Sequence, residues 1–106
     1  MEVPNKIADR QEMPRPLKIS SEEEFVKRAK EAVMLYANEH LDPTDRAGIS
    51  EDEVFMVWYC KTLQNWKALL STMLLDGMYY EVTVNGDKNE MYLDAYKKFE
   101  NRRIVL

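Results

Sequence analysis

The sequence predicts an α+β domain in which one long N-terminal helix packs on a four-stranded antiparallel meander. Three observations predict it. A capped amphipathic stripe runs over residues 21–41, two apolar stretches broken by polar turn residues fill 53–73, and a hairpin signal surrounds Asn85-Gly86. One helix stripe and one sheet face bury each other most economically when the helix lies across the sheet.

Residues 1–19 hold three of the four prolines and show no period, so they read as a flexible arm ahead of a single domain at 20–106. The helix begins at Ser20-Ser21. Ser21 with Glu24 is a capping box, and Ser20 with Glu23 is the same box one residue earlier. Glu22, Glu23 and Glu24 complement the positive end of the helix dipole. Phe25, Ala29, Ala32, Val33, Tyr36 and Ala37 recur every three or four residues, while Lys27, Arg28, Lys30, Glu31 and Glu39 take the opposite face. Pro43 disfavours helix at Asp42 and ends the element.

Residues 42–50, DPTDRAGIS, form a loop whose acidic spacing suggests calcium. It fails that test: counted from Asp42, glycine falls seventh instead of sixth, and Arg46 occupies the fifth, ligand position. Ser50 and Glu53 make another capping box, which leaves a helix over 51–63 as the alternative for the next element. The run VFMVWYC would be apolar all round as a helix, so two strands are expected, about 53–63 and 67–73, with a hairpin near Gln64–Asn65. Cys60, in the most apolar run of the chain, reads as a small buried hydrophobe.

LDGM at 75–78 is a turn, and MYYEVTVNGDKNEMYLDAY the next hairpin, where Asn85-Gly86 offers positive φ angles. A two-residue loop would set Glu81 against Glu90, like charges facing. A four-residue loop, Asn85 to Lys88, pairs Val82 with Met91 and Tyr80 with Leu93 and is preferred. Glu81, Thr83, Glu90 and Tyr92 then share the outer face. A weakly patterned end closes on Ile104-Val105-Leu106.

The chemistry is mostly exclusions. One cysteine allows no internal disulfide, and with one histidine it allows no Cys/His zinc site. His40 sits at the end of the helix, where its charge suits the negative terminus. The three glycines form no phosphate loop. Acidic pairs such as Asp42/Asp45, Glu51/Asp52/Glu53 and Glu81/Glu90 read as solvated surface, and no cofactor or metal is expected. The formal charge of −4 divides into +1 over residues 1–20, −6 over 21–53 and +1 over 54–106. This disfavours general duplex binding, which needs Lys and Arg to neutralise phosphates. No apolar run approaches a membrane span, and MEVPNKIADRQEMPRPL lacks the apolar region of a secretory signal.

The order of elements resembles the cystatin-like and nuclear-transport-factor-like folds. The Gln-x-Val-x-Gly hairpin tip of inhibitory cystatins has no match here, so that resemblance implies no protease inhibition. VWYCKTLQNWKALLST followed by GMYYEVTVNGDKNEMYLDAYKKFEN resembles, over about residues 22–104, a family of small uncharacterised proteins encoded by phages and prophages of Gram-positive bacteria. The resemblance implies a phage-related role in the host cytoplasm and carries over no catalytic residues.

The expectation is therefore a non-enzymatic accessory protein that binds another protein, one version being an inhibitor of a host defence or host process. Its partner-binding residues are expected to be the outward ones of the two hairpins: Tyr59, Lys61, Trp66, Lys67 and Tyr92. A homodimer through the open sheet face, or through 67–73 as an edge strand, is a further expectation. The alternatives are a small single-stranded nucleic-acid-binding protein, using the sheet aromatics with Lys97, Lys98, Arg102 and Arg103, and a small-ligand module with a pocket between helix and sheet.

Overall fold

The computed structural model describes residues 19, 21–41 and 48–106. The expected arm at 1–19 falls almost wholly outside the described residues, as does 42–47 of the expected loop. The described residues form helix α1 (Glu22–Glu39), a single 3-10 turn (Glu51–Glu53), and strands β1 (Val54–Thr62), β2 (Asn65–Thr72), β3 (Met78–Asn85) and β4 (Glu90–Lys97). The strands make one antiparallel sheet in the order β1-β2-β3-β4, with α1 packed on one face. This is the expected α+β architecture.

Ser21 caps α1 as its sequence requires: its Oγ accepts the Glu24 amide at 3.1 Å, and its carbonyl accepts the Phe25 amide at 3.1 Å. Phe25, Ala29, Val33 and Ala37, one residue per turn, are the buried side chains of α1. Three of these four are small, so the helix backbone can sit close to the sheet. Val54, Trp66, Ala68, Leu70, Tyr80, Val82 and Val84 meet them from the sheet. Full burial of side chains such as Phe25 and Leu70 contributes about 1.5–3 kcal/mol each. At the other end His40 Nδ1 donates to the Tyr36 carbonyl at 2.8 Å, and the two rings stack at 4.1 Å.

Residues 51–63 are a strand and not the alternative helix. The Ser50/Glu53 signal builds one turn only, in which the Ser50 amide donates to Glu53 Oε1 at 3.1 Å. The β1–β2 turn falls at Leu63–Gln64, with Leu63 in the left-handed region at φ 57°.

β1 carries a β-bulge. Met56 pairs with Leu70 and Trp58 with Leu69, so Val57 is an extra, bulged residue. Past the bulge every side chain of β1 changes face. Trp58 and Cys60 turn outward and Tyr59 turns towards the helix. Cys60 is therefore exposed, contrary to the burial expected of it.

The β3–β4 hairpin has a four-residue loop, but at 86–89. Val82 pairs with Leu93, Val84 with Met91 and Tyr80 with Ala95, two residues away from the expected register. A contact from the other hairpin explains the shift. Asn65 Oδ1 accepts the Gly86 amide at 3.0 Å, while Asn85 Oδ1 accepts the amides of Asp87 and Lys88 at 3.1 and 3.2 Å. Gly86 is needed for space and not for a positive φ: a Cβ there would lie 2.0 Å from the Gln64 carbonyl oxygen. The left-handed residue of the loop is Asn89, at φ 56°. A shift of two preserves face parity, so Glu81, Thr83, Glu90 and Tyr92 do share the outer face. The edges of the sheet are β1 and β4; the segment expected as an edge, 67–73, is mostly the interior strand β2.

Candidate functional site

The sheet face opposite α1 is built from alternate residues of all four strands. Ladder pairing arranges them in cross-strand rows: Phe55–Ser71–Tyr79–Tyr96, Trp58–Leu69–Glu81–Asp94 and Cys60–Lys67–Thr83–Tyr92. No described element packs on this face. Trp58 is 45% exposed, and Tyr92 and Tyr96 are each 52% exposed.

Glu81 and Asp94 carry the charge of the middle row, and Lys67 of the next row reaches the first of them. Lys67 Nζ lies 3.3 Å from Glu81 Oε1 and 3.4 Å from Thr83 Oγ1. Asp94 stands directly opposite Glu81 in the ladder, and no cation among the described residues pairs with it. Like charges directly opposed destabilise a sheet, so this row has room for a further positive charge. The Tyr92 hydroxyl donates to Glu90, and that hydrogen bond raises its phenol above the ordinary value.

The five expected binding residues divide between the two faces. Lys67 and Tyr92 lie on the outer face. Tyr59, Lys61 and Trp66 lie on the helix side, because the bulge inverts β1 and because Trp66 pairs across from Val84, an inner-face residue. Trp66 is 5% exposed and stacks on Phe25 at 4.8 Å and 21°. Tyr59 meets Phe25 edge-on at 6.1 Å, and a side-chain hydrogen bond to Glu22 raises its phenol. Lys61 sits over the Trp66 ring, 5.6 Å from its centroid. Sequence reading missed Phe55, Trp58, Leu69 and Tyr79 as outer-face residues. For Trp66 the signal was available: Trp66, Ala68 and Leu70 alternate with Asn65, Lys67 and Leu69.

The chain after β4 leaves the fold. Lys98 still bonds through its amide to the Gly77 carbonyl at 2.7 Å, and its ammonium lies 5.9 Å from the Tyr79 ring centroid. From Phe99, which is 98% exposed, to Leu106 the chain has no regular structure, and Ile104, Val105 and Leu106 all face solvent.

A groove of about 290 Å³ at the C-terminal end of α1 is bordered by Tyr36, His40, Asp76, Tyr80 and Lys97, among others. Its main polar groups already serve the backbone: His40 bonds the Tyr36 carbonyl, and Asp76 Oδ1 accepts the Met78 amide at 3.0 Å. Among the described residues no three His, Cys, Asp or Glu side chains gather in a group able to hold a metal ion. No described helix is long and apolar enough to cross a membrane.

No curated protein and no solved structure matches the chain. A family model does match, over residues 26–106, which takes in nearly all of α1, the whole sheet and the C-terminal tail. The chain belongs to the family of unknown function DUF6275.

Proposed function

We propose that this is a non-enzymatic accessory protein of a phage or prophage that acts in the host cytoplasm by protein–protein binding. The observation that carries the binding part is the outer sheet face, where Phe55, Trp58, Tyr92 and Tyr96 stand exposed around the Lys67–Glu81 pair. Tyr and Trp are among the side chains that protein interfaces most often use as anchors. The phage origin rests on the sequence resemblance. A host process as target is the reading of the acidic 21–53 half, whose net charge of −6 suits a basic partner surface.

Affinity capture from lysate of a Gram-positive host tests this with two baits, the natural chain and a Trp58→Ala/Tyr92→Ala double variant. A specific protein held by the first and lost from the second supports the reading. Identical or empty captures from folded baits sink it.

A second reading, single-stranded nucleic-acid binding, draws on Tyr79, Tyr96 and Lys98 lying together, with Arg102 and Arg103 further along the same tail. Glu81, Glu90 and Asp94 on the same face oppose it. Salt-dependent binding of an oligonucleotide, weakened by Tyr96→Ala, would reverse the preference.

A further inference from the structure

We infer that the outer sheet face is occupied by a second copy of this chain, and that the C-terminal tail of each copy lies across the sheet of the other. The inference rests on the reading of this face as a protein-binding surface and names its first occupant.

Charge favours a second copy. The tail from Lys98 to Leu106 carries Lys98, Arg102 and Arg103 against Glu100, and Arg102 bonds Glu100 at 2.9 Å. The outer face carries Glu81, Glu90 and Asp94 against Lys67, with Asp94 facing Glu81 across the ladder. A basic segment and an acidic face therefore belong to the same molecule. Apolar matter is distributed in the same complementary way. The tail offers Phe99, Ile104, Val105 and Leu106, none of which its own domain covers, and the face offers Phe55, Trp58, Leu69 and Tyr96.

Size favours it as well. Four strands at ~4.8 Å spacing and eight residues at ~3.3 Å rise make a face on the order of 500 Å², short of the ~800 Å² per partner of a stable interface. The nine residues after Lys97 reach about 30 Å when extended, enough to cross all four strands of a facing sheet. Laid there, the tail adds on the order of 300 Å² and brings the contact to the usual size. Face and tail together meet a requirement that neither meets alone. A two-fold axis between facing sheets repeats the arrangement in both copies, as self-complementary dimers require. It leaves both acidic helix layers outward for another partner.

The test is light scattering and sedimentation of the full chain from about 1 to 100 μM, with circular dichroism to confirm folding of each variant. The expected mass is twice the 12.5 kDa of the chain. Arg102→Asp/Arg103→Asp is expected to weaken the dimer at least ~10-fold, and Trp58→Ala similarly. Adding Asp94→Arg to the tail variant is expected to restore the dissociation constant to within about 3-fold. A monomer throughout, a dimer indifferent to both the tail and Trp58 changes, or a charge swap without rescue each overturns the inference. Should the chain be monomeric while Trp58→Ala/Tyr92→Ala still loses a captured host protein, the self-pairing is wrong and the binding reading stands. Should both measurements be blank, both fall.

Discussion

The Asn38 side chain clasps the backbone of Ile49 with two hydrogen bonds. Its Nδ2 donates to the Ile49 carbonyl at 3.0 Å, and its Oδ1 accepts the Ile49 amide at 2.8 Å. The primary amide acts like a second strand towards one residue, and it locks the last turn of α1 to the segment that leads into β1. Ile49 is buried, so neither of its backbone groups could turn freely to water after the clasp was lost. Asn38→Ala is expected to cost about 1–3 kcal/mol. Asn38→Asp, which keeps the acceptor but opposes a carboxylate to the Ile49 carbonyl, should cost a similar amount. Urea unfolding measures both; values within a few tenths of the natural chain would show that the clasp contributes nothing.

The two hairpin turns make opposite demands. Leu63 holds a left-handed conformation with its side chain 76% exposed, so its apolar surface gains little. Leu63→Asn is expected to stabilise the fold by about 0.5–1 kcal/mol, since asparagine tolerates this region better. Gly86→Ala is expected to destabilise by about 1–3 kcal/mol, because the added carbon meets the Gln64 backbone and not a yielding side-chain end. A thermal melt of each reads the signs, and two shifts in the same direction would contradict the turn geometry.

The β1 bulge sets the two tryptophans in different surroundings. In the Arg102→Asp/Arg103→Asp background, which leaves the outer face uncovered, fluorescence of Trp58→Phe, which leaves the buried Trp66, should be blue-shifted and resist iodide; Trp66→Phe should leave emission that iodide quenches readily. In the same experiment Cys60 should react stoichiometrically with a thiol reagent without denaturant. A Cys60 that reacts only on unfolding would mean that the bulge is absent. Trp66→Phe should also be better tolerated than a usual aromatic change in a core, because the buried indole nitrogen has no hydrogen-bond partner among the described residues to lose.

Alkaline pH should weaken the fold through Tyr80. Burial, then the charge of Asp76 and the nearby Tyr36, raise its phenol above the ordinary 10.0. Above pH 10 the unfolded chain has released this proton while the folded chain still holds it. The unfolded state then binds fewer protons, and stability falls as pH rises; below pH 10 the contribution is complete. Unfolding midpoints between pH 8 and 11 should decline from about pH 10, and Tyr80→Phe should flatten that decline. Equal slopes for the two chains would remove Tyr80 as the cause.

Local signals settled what depends on near neighbours. Ser21, the three glutamates after it and the Phe25–Ala29–Val33–Ala37 spacing determined α1 by themselves, since capping and one-face periodicity act within a few turns. The turn at 75–78 and the existence of four strands were likewise legible, because Asp76-Gly77 and Asn85-Gly86 interrupt patterned runs. Tertiary structure decided which way β1 faces and where β3 and β4 pair. VFMVWYC is apolar at every position, so it has no parity of its own, and a single extra residue at Val57 chose the outward set. The β3–β4 register hung on Asn65 and Gln64, some twenty residues away, reaching the loop that begins at Gly86. Binding residues followed those two choices: Tyr59 and Trp66 went to the helix, and Trp58 and Cys60 to the open face.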